Sequence, residues 1–401
     1  MTDIPRPAVT VLSGFSPAAT GAVARRLLVD DPSLLLVVHS IDDLADGTVR
    51  RLVRTAAGIV EDVTVELVHG CFSCTLRDDV LPTLVRLAHE RPGSDLLLAL
   101  PRAVEPEAVA AACAHSPWVA EAVRFDSYVT VVDAGRITGD LDTTDDLRDR
   151  GLHVAPDDHR AVADVVARQL EYADTILTWT PPDTDPLDRV RTATLLRRLV
   201  PWAVPVDADT GDLPAAIRRT HRHDPRLPAT LGRALAGYPI GDQAPTGDWG
   251  VASLVFEARR PFHPQRLHDA LEDLAGLTLR ARGQLWIASQ PDTVLGFEAA
   301  GGGIGLGGLG YWLAALPPAR WTEASLDRRL TADATWDPYY GDRRTTLAFV
   351  GLDLASDALT TLLTHCLLTD DELADGHDTW PTLPDPFAGC FTHPETTDAP
   401  A

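Results

Sequence analysis

The stretch Val9-Thr10-Val11-Leu12-Ser13-Gly14-Phe15-Ser16-Pro17-Ala18-Ala19-Thr20-Gly21-Ala22-Val23 decides the fold class. A short apolar run stops at a glycine, small residues follow, and a helical period begins, which is the strand–loop–helix order of a P-loop domain. A working loop of the form GxxxxGK[ST] turns N–H groups inward on its glycines, offers a lysine to the β/γ-phosphates and gives Mg²⁺ a hydroxyl. In that register Gly14 is kept, Ala19 stands at the second glycine, Thr20 at the lysine and Gly21 at the hydroxyl. Gly14, Thr20 and Gly21 are therefore the residues that would face a nucleotide. The chain holds no lysine at all: its 35 Lys+Arg positions are all arginine. These residues argue against hydrolysis, while the N-terminus of the following helix leaves weak anion binding open.

Outward from this loop, Leu34–Val38, Val63–Val68, Leu96–Leu100, Ser127–Val132 and Thr175–Thr178 continue the strand pattern that begins at Val9–Ser13. Ala19–Val29, Thr75–Glu90, Pro106–Ala114 and Asp158–Tyr172 have helical spacing between them. Buried β-runs alternating with helices predict an α/β fold with a mostly parallel sheet covered on both faces. The acidic run Asp140–Asp149 reads as a solvated loop. Residues 1–206 thus form a P-loop-like domain. Residues 207–250, rich in proline, glycine and the cluster Arg218, Arg219, His221, Arg222 and His223, read as a linker. Residues 251–375 form a smaller α+β domain, with strands near Ala252–Glu257 and Thr345–Gly351 and helices near Pro264–Leu274 and Ser356–Leu368. Residues 376–401 read as a flexible tail. The glycines of Gly301–Gly310 contain a GxGxxG string, but no strand-to-helix context supports a dinucleotide, so they predict a turn or strand bend.

Over 401 residues the formal charge of −23 argues against nucleic acid or an anionic membrane as direct partner, since both recruit concentrated positive charge. The start has no basic region followed by an apolar core, and no apolar run reaches membrane length, so a cytoplasmic location is expected. Five scattered cysteines fit a reduced compartment, where close pairs bind metal or do redox work.

That chemistry concentrates in His69-Gly70-Cys71-Phe72-Ser73-Cys74-Thr75-Leu76-Arg77-Asp78. Thiolates at CxxC spacing can hold one tetrahedral Zn²⁺, and a helix N-terminus behind them favours deprotonation. Cys71 and Cys74 supply half a closed site, and His69 is a candidate third ligand. Near the tail, Gly389-Cys390-Phe391-Thr392-His393 echoes the same shape, so Cys390 and His393 are candidates to complete four ligands. Cys113 and Cys366 lie in apolar helical settings and read as small core residues.

The cysteine segment resembles that of the CobW-type (CobW/HypB/UreG) metallochaperone GTPase family, whose members carry G-C-x-C-C-T-L-R-x-D here. Other segments agree in order: Ser13-Gly14-Phe15, Glu105-Pro106, Val131-Val132-Asp133-Ala134, Gln169-x-x-x-Ala173-Asp174, Arg260-Pro261-Phe262-His263-Pro264, Arg280-Ala281-Arg282-Gly283 and Gly341-Asp342-Arg343-Arg344. The resemblance implies a SIMIBI-class G domain followed by a CobW C-terminal domain. It also exposes losses. The guanine-reading NKxD falls on Trp179-Thr180-Pro181-Pro182, the switch glutamate on Ala99 and its neighbouring glycine on Arg102. An acidic switch segment becomes His39-Ser40-Ile41-Asp42-Asp43. What the resemblance implies is a zinc-binding pseudo-GTPase of metal homeostasis, with zinc as its metal, GTP doubtful, and a protein client or regulator as partner. Degenerate members include a mycobacterial ribosome-hibernation recruitment factor, which puts a ribosome-associated partner under zinc limitation among the expectations. An active metallochaperone GTPase, with Arg25 or Arg26 replacing the lysine, and a CxxC thiol–disulfide protein are the alternatives.

Overall fold

The computed structural model describes residues 6–155 and 158–391, and the chain divides after Leu227 into two compact units. The first is built on an eight-stranded sheet in the order β4-β3-β2-β5-β1-β6-β7-β8. Its strands are β1 (Ala8–Ser13), β2 (Leu35–Ser40), β3 (Thr48–Thr55), β4 (Gly58–Glu66), β5 (Leu96–Ala99), β6 (Arg124–Asp133), β7 (Thr175–Trp179) and β8 (Val204–Asp207). From β2 to β8 every neighbour is parallel. Helices α1 (Pro17–Asp30), α2 (Phe72–Thr75), α3 (Leu81–Glu90), α4 (Pro106–Ala114), α5 (Pro117–Ala122), α6 (Ile137–Asp142), α7 (Val162–Tyr172), α8 (Pro186–Leu199) and α9 (Leu213–Ile217) fill the connections.

Two-sided burial explains why the central strands read as unbroken apolar runs. Val9, Val11, Leu96 and Leu98 pack in one core with Leu84, Leu87, Val109 and Val119. Leu12, Leu97 and Leu36 pack in the other with Val23, Leu27, Leu213 and Ile217.

The sheet is mostly parallel, as expected, with β2, β3 and β4 as an antiparallel meander at one edge. Two expectations need correction. Val63–Val68 is the end of that meander rather than a covered parallel strand, and Val63 and Val68 are exposed. Strand β3 escaped notice because Arg50, Arg51 and Arg54 break its apolar alternation. The acidic run after Asp140 is not wholly solvated, since Asp140, Leu141 and Leu147 are buried.

Residues 207–227, expected to open a linker, close the underside of the first unit. Arg218 is buried and pairs with Asp95 at 2.9 Å and with Asp31 at 2.5 Å. Asp126 accepts the N–H groups of Thr220 and His221. A charged cluster reads as solvated in a sequence, but here buried carboxylates face it.

The second unit carries a six-stranded antiparallel sheet in the order β13-β12-β11-β14-β10-β9. Its strands are β9 (Ala244–Asp248), β10 (Val251–Ala258), β11 (Arg280–Leu285), β12 (Thr293–Ala300), β13 (Gly303–Tyr311) and β14 (Thr345–Leu352). Helices α10 (Pro264–Gly276), α11 (Leu326–Ala334), α12 (Ser356–Cys366) and α13 (Asp370–Ala374) complete it. One sheet face packs Phe256, Leu285, Phe297, Leu347 and Phe349 against Leu267, Leu274, Leu359 and Leu363 of α10 and α12. The Gly301–Gly310 stretch makes the β12–β13 hairpin, with Gly301 and Gly302 at φ 57° and 76° in its turn. Among the described residues no helix is long and apolar enough to cross a membrane.

Candidate metal loop and collapsed phosphate loop

The first loop is too short to cradle a phosphate. Helix α1 already begins at Pro17, with Ser16 as its N-cap, so only Gly14 and Phe15 separate strand from cap. The Ser16 hydroxyl accepts weakly from Ala19 N–H at 3.5 Å and donates to Asp133 Oδ2 at 2.9 Å. Asp133 ends β6, and its other oxygen accepts from Gly135 N–H. A carboxylate therefore stands beside the first turn of α1, where a bound anion would have to come, and like charges repel there.

The three residues singled out for nucleotide contact are packed against protein. A side chain on Gly14 would lie 2.6 Å from the Val131 carbonyl and 2.7 Å from Thr20 Oγ1. Thr20 folds back over the loop, its hydroxyl buried without a protein partner. Gly21 lies under Arg25, whose Nη1 is 3.3 Å from where a Cβ would sit. Arg26 turns away to the carbonyls of Ala208 and Thr210, which removes it as a lysine substitute.

The segment after β5 is pinned. Gln169 of α7, itself buried, donates to the carbonyls of both Arg102 and Val104 at 2.9 Å. Glu105 pairs with Arg160 at 2.7 Å. Arg102 lies over the Phe15 ring at 5.1 Å, and burial holds its pKa below the usual guanidinium value. At the base-reading position the chain turns at Pro181, and Asp185 is used as the N-cap of α8.

The cysteine loop is in better order. Gly70 is needed at its entrance, because a Cβ there would lie 2.2 Å from the Leu44 carbonyl. Cys71 is the N-cap of α2, and its sulfur accepts from Cys74 N–H at 3.3 Å. The helix continues through a π-turn, Leu76–Val80, into α3, so one amphipathic rod runs from the cysteines to Glu90. Cys71 is exposed and Cys74 buried. Hydrogen bonding from Cys74, first through its thiol and then its N–H, lowers the Cys71 pKa, and the same thiol contact raises that of Cys74. Arg77 reaches Cys74 Sγ at 3.7 Å.

A buried polar network ties this rod to the sheet. Asp79 of the π-turn lies 2.8 Å from His39 Nε2 on β2 and pairs with Arg51 on β3, and Arg51 reaches Glu61 on β4 at 3.4 Å. Sequence reasoning missed this set, reading His39 only as a lost switch position. The available signal was a basic residue on a strand beside the acidic pair after CxxC.

Among the described residues no three His, Cys, Asp or Glu side chains gather as a metal site. His69 is exposed and is not brought together with both cysteines as a third ligand. Cys390 is exposed in the second unit. His393 lies outside the described residues. Burial pushes half-buried Cys113 and buried Cys366 up to about 12 and about 11, the state of unreactive thiols.

Comparison with known proteins places this architecture. Residues 44–186 match the CobW/HypB/UreG nucleotide-binding domain, a stretch that begins after the first loop, and residues 251–367 match the cobalamin synthesis protein cobW C-terminal domain. A zinc chaperone of Mycobacterium tuberculosis is 33% identical over 395 residues, 94% of this chain and 90% of the relative. The chain therefore belongs to the CobW family. A zinc-regulated GTPase metalloprotein activator of Dictyostelium discoideum is 28% identical, covering 94% of this chain and 83% of its own length. A solved structure, the Zn(II)-bound YjiA GTPase of E. coli, is 17% identical, with coverage of 91% and 100% and a TM-score of 0.39.

Proposed function

We propose that this chain is a zinc-handling CobW protein that works without nucleotide turnover. It holds zinc as cargo on Cys71 and Cys74 and acts through a protein partner. The observation that carries the reading is a contrast within one domain. The phosphate loop has been replaced by an early helix start with Asp133 at its mouth, while the CxxC keeps one exposed, acidified thiol at a helix cap. Two sulfur ligands suit a site that accepts and releases metal, since a closed structural zinc site uses four. The names of the mycobacterial and Dictyostelium relatives support zinc as the metal. A ribosome-associated client under zinc limitation is the form of partner that the family resemblance favours; co-sedimentation with ribosomes from zinc-starved cells tests it.

Calorimetric titration with Zn²⁺ is the deciding experiment for the metal. Binding that disappears in Cys71→Ser/Cys74→Ser is expected, and binding unaffected by that change sinks the reading. Labelled GTP with Mg²⁺ tests the other half: sub-micromolar affinity restores the active GTPase. The exposed Cys71 beside buried Cys74 also favours a second reading, thiol–disulfide exchange, which reduction of a model disulfide would reveal.

A further inference from the structure

The second unit contains a cleft of about 660 Å³, within the size range of small-molecule sites, which run from about 300 to 1,000 Å³. Its walls are the loop 234–241, the ends of β10 and β14, and one side of α11. Gly237 lets the loop close on the helix: at φ 81° it is left-handed, and a Cβ would sit 2.4 Å from Thr331 Oγ1.

Two arginines line this cleft, Arg259 and Arg344. Their guanidinium groups are held by neutral acceptors. Arg259 donates to the carbonyls of Gly341, Arg343 and Thr335, and Arg344 to the Thr335 hydroxyl and the Ala234 carbonyl. Carbonyls orient a guanidinium but do not neutralise it, and among the described residues neither arginine is in an ion pair. Burial, then the neighbouring charge of Arg259, lowers the Arg344 pKa. Three carboxylates offset part of this charge: Asp337, which acts on Arg259 and accepts the N–H groups of Tyr339 and Tyr340, Asp342 and Glu257. Asp342 is committed to the N–H groups of Leu313 and Ala314, and Glu257 is exposed on the cleft wall.

Unmet hydrogen-bonding capacity lies on the cleft's face of the sheet, one strand beyond the lining. Gln284 faces Thr346 across the β11–β14 ladder, and Thr346 faces Glu257 across β14–β10. Directly opposed residues share one sheet face, so Gln284 belongs to the cleft's side of the sheet. It is fully buried, and neither its amide nitrogen nor its oxygen has a partner. A buried side chain with both polar atoms idle is costly unless something else meets it.

We infer that this cleft binds a small organic anion, its phosphate or carboxylate head between Arg259 and Arg344 and its body along the loop 234–241. The two arginines supply charge-assisted hydrogen bonds. Glu257 sets a limit on the ligand's charge, because it repels a second anionic group. No metal and no nucleotide at the first loop is required, so the site is independent of the zinc reading.

Calorimetry on the full chain at low salt tests it with three probes: inorganic phosphate, butyrate and GMP. At least one should bind saturably with a Kd below about 1 mM. Phosphate and GMP binding assigns a phosphate head; butyrate binding assigns a carboxylate. Arg344→Gln should weaken that binding by about tenfold or more, the loss of one charge-assisted bond. Glu257→Gln removes no structural contact and should tighten it about two- to fivefold, the range of an exposed charge pair. Failure of all three probes, or an affinity that Glu257→Gln leaves unchanged, overturns the inference even where Arg344→Gln does not fold.

Discussion

The Ser16 hydroxyl donates to the Asp133 carboxylate at 2.9 Å, and this bond seals the N-terminus of α1 with a negative charge. It follows that the missing lysine is not the only obstacle to nucleotide chemistry. Thr20→Lys/Gly21→Ser restores both absent side chains of the phosphate loop, yet the helix still begins at Pro17. GTP hydrolysis by this double variant should stay at the level of a protein-free control. A phosphate-release assay showing Mg²⁺-dependent turnover would mean that the loop opens and that the collapsed form is not the working one.

The cysteine loop makes a separate prediction about reactivity. Hydrogen bonding to Cys71 lowers its pKa while Cys74 is raised, so the thiolate fraction near neutral pH is concentrated on Cys71. Iodoacetamide followed by peptide mass spectrometry should label Cys71 before Cys74, with Cys113 and Cys366 last. Added Zn²⁺ should protect Cys71. Equal labelling of Cys71 and Cys74 would remove the electrostatic basis of the site.

How much of this was legible beforehand depends on what each signal rests on. Strand β1, the run Leu96–Ala99 and the helix behind Cys71 follow from apolar periodicity, and the structure has them within a few residues. The missing lysine was equally plain. What stayed hidden were relationships that join distant residues: Gln169 with Arg102, Asp133 with Ser16, Asp79 with His39. Each is a buried or half-buried polar contact between residues 40 or more positions apart, and periodicity carries no information about such pairs. Arg218 was misplaced for the same reason, since its partners Asp31 and Asp95 lie far upstream. The first loop itself was read in register with an open cradle, whereas the Ser16-Pro17 cap and first helical position are a helix start in their own right.

The pinned segment after β5 gives a stability prediction. Gln169→Leu leaves the buried carbonyls of Arg102 and Val104 without their donor, at a cost of roughly 2–4 kcal/mol. The urea midpoint should fall accordingly. A structural role alone predicts no change in zinc affinity, so a parallel loss of zinc binding would show that this segment communicates with the cysteines.

His223 connects the former linker to pH. It packs against the Tyr128 ring at 4.6 Å between centroids, and burial pulls its pKa down from 6.5 to about 4. A depressed folded-state pKa means that the unfolded chain takes up the proton first. The stability tied to neutral His223 is therefore complete above pH 6.5 and is lost as pH falls towards 4. Asp174, raised by burial to about 6, acts in the opposite sense, favouring the folded state below its unfolded value of 3.8 and losing that contribution as pH rises through about 6. The two windows overlap, so the wild-type profile between them is a difference. Replacing His223 by Phe keeps an aromatic ring beside Tyr128 and deletes the titration. Denaturation midpoints measured from pH 7 to pH 4 should fall less in His223→Phe than in wild type, by about 2–3 kcal/mol at the acid end. Parallel profiles would show that the imidazole stays hydrated, and that residues 218–223 do not close the sheet's underside as tightly as their contacts with Asp95 and Asp126 require.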